Sequence, residues 1–252
     1  MGPLSGKPAF ACRYTHAEGG YYVVARHPPL NSSYNPFTQV NRIGTHAIQY
    51  TKLGSLFLPD AVSGGRLQFG VGAGWQEREH GSFGYALLDT RQRLNRFAEA
   101  LDVMTRLLRS DEPVTWEGEF YQLRDALLLP RPQRRGGPPV VIGGNGPQRT
   151  LPLTARFADE WNSVFVPAAK FAELNARLDE LIEQQGRAPG SVRRSLMTNI
   201  RFGRDDAEVQ RRLRGQNRAE MRERGVVVGT AHEVVEQLGE YADAGVQRIM
   251  LQ

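Results

Sequence analysis

An α/β fold organised around a parallel sheet is predicted for Leu67 to Gln252, and three observations predict it. Short apolar stretches alternate with segments of helical spacing, two of the stretches run out into glycine clusters, and the helical segments carry recognisable start or stop residues. Parallel strands need a crossover to return the chain, and a helix is the usual one. An eight-stranded barrel and an open doubly wound sheet both satisfy this pattern.

The elements follow in order. Leu67–Gly72 is a buried-strand pattern ending in glycines, and QEREHGSFG after it reads as a loop. Asp89 to Arg109 places Leu94, Phe97, Ala98, Leu101, Met104, Leu107 and Leu108 at helical spacing. VTWEGEFYQL alternates around Glu117-Gly118 as a small hairpin, and LPRPQRRGGPP is a loop because proline removes donors and fixes φ. Val140–Gly143 is the next buried strand, with Pro147 suited to the first position of the following helix and Pro152 at odds with its first turns. Asp159–Phe165 reads as a strand, and Pro167 to Gln185 as a helix with Phe171, Leu174, Leu178, Leu181 and Ile182 on one face, closed by Gly186. Ser195–Phe202 is a further strand before a charged helix from Asp205. In the last unit Thr230 and Glu233 form a capping box, Val234, Val235, Leu238, Tyr241 and Ala242 form the apolar face, Gly245 ends the helix, and Val246–Leu251 is the closing strand.

Residues 1 to about 60 show neither period 2 nor period 3.6. A barrel spends roughly 30 residues on each β/α unit, so three further units do not fit there. The division expected is an atypical segment over 1–61 and a barrel-type domain over 62–252.

Composition excludes several classes. The sequence has 252 residues, no run of about 18 apolar residues to span a membrane, and no apolar export signal in MGPLSGKPAFACRYTH. Cys12 is the single cysteine, which rules out an internal disulfide or a cysteine zinc site and favours a cytoplasmic location. A formal charge of +5 raises the question of an acidic partner. Basic residues concentrate between Arg187 and Arg224, for instance Arg193, Arg194, Arg211, Arg212 and Arg214, but no aromatics or reading motif accompany them. A solvated face is expected rather than nucleic acid, with attraction of an anionic cofactor or substrate as the alternative. His16, His27, His46 and His232 lack ligand spacing, so no metal site is expected, and no G-x-S-x-G elbow is present.

Two glycine clusters carry the chemistry. FGVGAGW puts Gly70, Gly72 and Gly74 at a strand end, spaced G-x-G-x-G and followed by a loop. A dinucleotide fingerprint needs G-x-G-x-x-G with a helix opening at the pyrophosphate. Glycines there let a flat ring approach the backbone, although a plain tight strand exit uses them too. GGNGPQ, Gly143 to Gln148, lies between a buried strand and a helix start, where exposed N–H groups and the helix dipole favour an anion; a simple turn is the plainer reading. Trp75, Glu77, Glu79 and His80 follow the first cluster, and Glu79 or His80 could exchange a proton beside a ring.

Taken in order, VSGGRLQFGVGAGWQEREHGSFG, RLNRFAEALDVMTRLL, WEGEFYQL, LLLPRPQ, PPVVIGGNG, ARFADEWN and VVGTAHEVVEQLGEYADAGVQRIMLQ resemble the luciferase-like monooxygenase superfamily, in particular its coenzyme F-420-dependent branch. The resemblance implies a (β/α)8 TIM barrel of the bacterial luciferase-like type, usually a homodimer, with reduced flavin or deazaflavin at its mouth. Gly143, Gly144, Asn145 and Gly146 would then contact the cofactor phosphate, Gly72, Ala73, Gly74 and Trp75 would lie near the ring, and Glu79 and His80 would line the pocket as catalytic candidates. F-420 is the expected cofactor and FMN the alternative, with a small organic substrate. The family carries three β/α units ahead of the GGRL segment and a final helix beyond the point matching Gln252, and residues 1–61 do not align with those units. A frameshifted, truncated or misassembled reading frame is the expected reason, a divergent but working N-terminus the other. Two alternatives remain: a non-catalytic remnant, and a phosphate-binding β/α-barrel isomerase or aldolase. The latter would need a lysine or acid at another strand end, whereas Lys170 sits at a helix start.

Overall fold

The computed structural model describes residues 16–17, 21–24, 60, 64–83 and 86–252, excepting the side chains of 16–17, 21–24, 79 and 83. Most of the atypical segment expected over 1–61, including Cys12, His27 and His46, lies outside the described residues, as does the Glu79 side chain. The chain divides into two compact units, residues 1–140 and 141–252.

In the first unit, β1 (His16–Ala17) and β2 (Tyr21–Val24) form an antiparallel pair, and β2 runs antiparallel to β3 (Gln68–Val71). QEREHGSFG is not the expected loop: α1 spans Glu77–Phe83, opened by the His80 N–H donating to the Gln76 carbonyl at 3.2 Å. Gly81 lies inside this helix, where one glycine costs only about 1 kcal/mol relative to alanine. Helix α2 (Thr90–Arg109) starts at Asp89, whose Oδ1 accepts from the Gln92 N–H at 2.9 Å. Its buried face includes Phe97, Leu101, Met104, Leu107 and Leu108. At its other end Arg131 donates to the carbonyls of Leu107 and Leu108 at 2.8 and 3.0 Å, satisfying groups the helix leaves open. The expected hairpin is present as β4 (Val114–Glu117) and β5 (Gln122–Ala126). The Glu99 carboxylate ties it to α2, accepting from Trp116 Nε1 and from the N–H groups of Phe120 and Tyr121 at 2.9–3.1 Å.

The second unit is the predicted parallel β/α array. Strands β6 (Val140–Gly143), β7 (Glu160–Val164), β8 (Arg193–Thr198) and β11 (Arg248–Leu251) pair in parallel in that order. Helices α3 (Thr150–Phe157) and α4 (Ala168–Gln184) make the first two crossovers. Trp161 on β7 is fully buried against Phe171 of α4, ring centroids 4.9 Å apart. The whole predicted face of α4, Phe171, Leu174, Leu178, Leu181 and Ile182, is buried. Helix α3 begins at Thr150 rather than Pro147, which sits in a preceding turn. Pro152 is then the third helical residue, where the N–H it lacks would have had no intrahelical partner, so the proline is tolerated.

Ser195–Phe202 is not one strand. The ladder with β11 ends at Thr198, and after Asn199 the chain continues as β9 (Ile200–Phe202), which pairs in parallel with β10 (Val227–Gly229). Between them the single charged helix expected becomes two, α5 (Asp206–Leu213) and α6 (Arg218–Glu223), capped by Asp205 and Asn217. Val209, Leu213, Met221, Val226 and Val228 close a small satellite core with Phe165 packed against it. Within the basic stretch Arg194 pairs with Asp179, Arg204 and Arg212 share Glu208, and Arg218 and Arg222 share Glu233. The capping box of α7 (Ala231–Asp243) forms as read. Its buried face differs: Val235 is 68% exposed and Ala242 is exposed, whereas Gln237 is buried with Val234 and Tyr241. Gln237 is paired there with both the N–H and the carbonyl of Val228, so its burial leaves no polar group unmet.

Gly225 joins the satellite to the exit of β7. It has φ +77°, and a Cβ on it would lie 2.4 Å from the Val166 nitrogen, closer than any side chain can be placed. Gly225→Ala is expected to lower stability by about 2–4 kcal/mol through backbone strain and overpacking. A urea-unfolding midpoint equal to that of the parent would show that the backbones do not approach this closely.

Candidate cofactor site

Each glycine cluster is placed within its own unit. In the first, Gly72 is buried, Ala73 and Gly74 are half-buried with Gly74 at φ +75°, and Trp75 is 62% exposed. His80 follows on α1 and is 3% exposed. Its Nδ1 lies 2.9 Å from the Gln76 carbonyl oxygen, which only accepts, so Nδ1 carries the hydrogen in that bond. Nε2 is buried without a hydrogen-bond partner among the described residues, leaving a lone pair available to a donor. Glu77 is exposed.

The second unit brings Gly143, Gly144, Asn145 and Gly146 together with the first turn of α3. Gly144 donates its N–H to the Asn162 carbonyl at 3.0 Å, extending the β6–β7 ladder by one residue, and then turns away at φ +123°, which a side chain would resist. Its carbonyl accepts from Trp161 Nε1 at 2.8 Å. Asn145 then substitutes for backbone. Its Oδ1 accepts from the Val164 N–H at 3.0 Å and from the Ser163 hydroxyl at 2.9 Å, while Nδ2 donates to the Val164 carbonyl at 2.6 Å. The side chain is thus consumed by β7, and what Asn145 offers a ligand is its main chain. The N–H groups of Asn145 and Gly146 have no acceptor among the described residues. Beyond them Leu151 donates back to the Gly146 carbonyl at 3.0 Å, which folds the loop onto the start of α3.

This arrangement fits a phosphate. Two unengaged main-chain donors lie beside a helix N-terminus, and the positive end of the helix dipole adds to them. A Cβ on Gly146 would stand 2.9 Å from Thr150 Oγ1, so a side chain there would have to displace the threonine.

The residues that position the loop were not anticipated. Val164, Phe165 and Val166 leave β7 with Phe165 at φ +48°, a left-handed conformation that a residue with a side chain adopts at a cost of about 1–2 kcal/mol. The Phe165 N–H donates to the Met197 carbonyl at 3.0 Å. The Val166 carbonyl accepts from the Tyr241 hydroxyl at 2.9 Å. Burial, aided by the nearby Glu240 charge, pushes the Tyr241 phenol up to about 12, so it stays a donor across the physiological range. Ser163 and Trp161 carried no sign of their role beyond lying in the strand next to GGNG. Tyr241 showed only an aromatic residue with a polar tip on a core face. On the opposite register of β7, Glu160 pairs with Arg248 of β11, and Asn162 Nδ2 donates to Ser195 Oγ at 2.9 Å. Among the described residues no cluster of His, Cys, Asp or Glu could hold a metal, and no helix is long and apolar enough to cross a membrane.

A parallel β/α array with an anion-ready loop at a strand end defines a class of cofactor-binding α/β proteins. Comparison with known proteins narrows it: the chain belongs to the luciferase-like monooxygenase family, whose model matches residues 58–221. It is 43% identical over 133 residues to 4-hydroxyprotoasukamycin monooxygenase of Streptomyces nodosus subsp. asukaensis, spanning 53% of this chain and 34% of that protein. It is 26% identical over 225 residues to the F-420-dependent glucose-6-phosphate dehydrogenase of Intrasporangium calvum, spanning 76% of this chain and 65% of that one. The chain therefore covers between a third and two thirds of the length of these relatives. Among solved structures, an F-420-dependent secondary alcohol dehydrogenase with an F-420–acetone adduct superposes with TM-score 0.68 at 20% identity, over 87% of this chain and 69% of that one. An EDTA monooxygenase from Chelativorans superposes with TM-score 0.68 at 17% identity, over 81% and 65%. At these identities the structures establish the fold, the TIM-barrel type of the luciferase-like enzymes.

Asn145→Ala would leave the Val164 N–H and carbonyl without their partners. Stability should fall by about 2–3 kcal/mol, read from chemical denaturation. A variant as stable as the parent would contradict the clamp.

Proposed function

We propose that this chain is an oxidoreductase that binds coenzyme F-420, with FMN as the alternative, and acts in two-electron chemistry on a small organic substrate. The observation that carries the reading is the Gly143–Gly146 loop, whose side-chain amide is tied inward while the N–H groups of Asn145 and Gly146 have no acceptor among the described residues. When bound, F-420 supplies hydride transfer, whereas reduced FMN supplies activation of oxygen for insertion. The work of this chain is then to bind and orient. Gly143, Gly144, Asn145 and Gly146 hold the phosphate through main-chain donors. For Gly72, Ala73, Gly74 and Trp75 the ring contact is what the family resemblance implies, small residues permitting close approach and Trp75 offering an aromatic face. His80, with a buried acceptor at Nε2, takes or returns a proton, and Glu79 is the second candidate for that role.

F-420 is preferred because the GW-x-x-x-EH segment, Gly74 to His80, resembles that branch and because a relative named as an F-420-dependent dehydrogenase matches over 76% of this chain, against 53% for the protein named as a monooxygenase. The 43% identity to a protein named as a monooxygenase is the observation that keeps oxygen chemistry as the second reading. The same resemblance supports a cytoplasmic homodimer. An aldolase that works through a lysine is disfavoured in the second unit. Lys170, the lysine among the described residues, is half exposed and pairs with Glu173 on the outside of α4.

Purified protein titrated with F-420 and with FMN, followed by fluorescence, tests this. Saturable F-420 binding at micromolar concentration or below is expected (about −8 kcal/mol or better). Tight FMN binding without F-420 binding would reverse the preference, and no binding of either would support a chain without a working cofactor site.

A further inference from the structure

We infer that Tyr241, on α7, is a positioning residue for the phosphate loop, acting through the exit of β7 and not on the cofactor itself. This rests on the reading of Gly143–Gly146 as the phosphate cradle. Three consecutive residues leave β7, and each is held differently. Val164 is gripped by the Asn145 side chain on both its N–H and its carbonyl. Phe165 is left-handed, with φ +48°. Val166 is held by the Tyr241 hydroxyl, 2.9 Å from its carbonyl. That hydroxyl also lies 3.3 Å from the Gly225 carbonyl, but it has one proton to give. The Val166 carbonyl is the nearer of the two acceptors, and the Gly225 carbonyl also receives Thr198 Oγ1 at 2.5 Å, so the tyrosine proton is assigned to Val166. Gly225 approaches Val166 so closely that a Cβ on the glycine would lie 2.4 Å from the Val166 nitrogen.

A left-handed phenylalanine persists only while its surroundings fix it. The N–H of Phe165 is held by the Met197 carbonyl and its ring by the satellite core, while Asn145 before it and Tyr241 after it hold the flanking residues. When Val166 is released, Phe165 can relax toward the right-handed region, and that rotation reorients Val164. Asn145 is bonded to Val164 at both ends and lies between two glycines, so it follows, and its own N–H and that of Gly146 move with it. Tyr241 therefore controls the direction of the two phosphate donors without touching the ligand.

Tyr241→Phe keeps the buried ring and removes only the donor. The probes are FMN against riboflavin, and F-420 against its deazaflavin core without the phosphate arm; the pair that binds the parent is used. Tyr241→Phe is expected to weaken the phosphorylated member by about 3–10-fold and to leave the unphosphorylated one unchanged. General loosening of the fold would weaken both alike. Phe165→Gly provides the second arm, because glycine takes φ +48° without steric penalty. The double variant Tyr241→Phe/Phe165→Gly should regain most of the lost preference for phosphate, even though it melts lower for want of the Phe165 packing. Equal weakening of both members, no weakening of either, or a double variant with no recovery would overturn the proposal. A parent protein with no preference for the phosphorylated member would overturn the cradle reading, and this proposal with it, before any substitution is made.

Discussion

Asn145 makes the hydrogen bonds that a continuing strand would make, but with its side chain. Its amide accepts from the N–H of Val164 and donates to the carbonyl of the same residue, so the chain after β6 stays registered to β7 while its backbone is free to leave the ladder. The proposed phosphate role and the place of the loop in the fold make opposed demands: the one needs N–H groups left free, and a strand end next to a buried core needs its polar groups satisfied. One side chain meets both, since the satisfied groups are those of Val164, and the N–H groups without an acceptor among the described residues are those of Asn145 and Gly146.

The surrounding structure serves the same constraint. Trp161 is buried on Phe171 and donates to the Gly144 carbonyl, so helix packing and loop geometry share one residue. Alternation along β7 then separates two environments. Trp161 lies against α4, and Ser163 hydrogen-bonds to the loop. Glu160 and Asn162 face Arg248 and Ser195 across the strands. The satellite of β9, β10, α5 and α6 adds weight at the exit of β7, where Phe165 joins its core and Gly225 meets Val166.

Much of the second unit was legible in the sequence because its signals are local. The apolar face of α4, the stop at Gly186, the Thr230–Glu233 box and the strand Val140–Gly143 all depend on residues within one element. What could not be read depends on pairing between distant segments. β10 is three residues long and exists through β9, and nothing in IRF or VVG alone distinguishes it from a loop. The buried Gln237 and exposed Val235 invert the expected polarity because Val228 offers Gln237 two backbone partners, a long-range fact. At the site, the glycines pointed to a turn between a strand and a helix, but the inward-facing Asn145 side chain, the left-handed Phe165 and the tyrosine behind it required three segments at once. The QEREHGSFG segment was misread for a different reason: a short helix with an interior glycine has too weak a local signal to outweigh the loop pattern.

The central claim is that the main-chain donors of Asn145 and Gly146 receive the cofactor phosphate. Amide hydrogen exchange of residues 143–150, with and without F-420 or FMN, tests it most directly. Bound cofactor should slow exchange at the Asn145 and Gly146 amides well beyond any change at Val141 and Ile142, which are already inside the sheet. If the cofactor binds and those two amides exchange as fast as before, the phosphate is held elsewhere and the account is wrong.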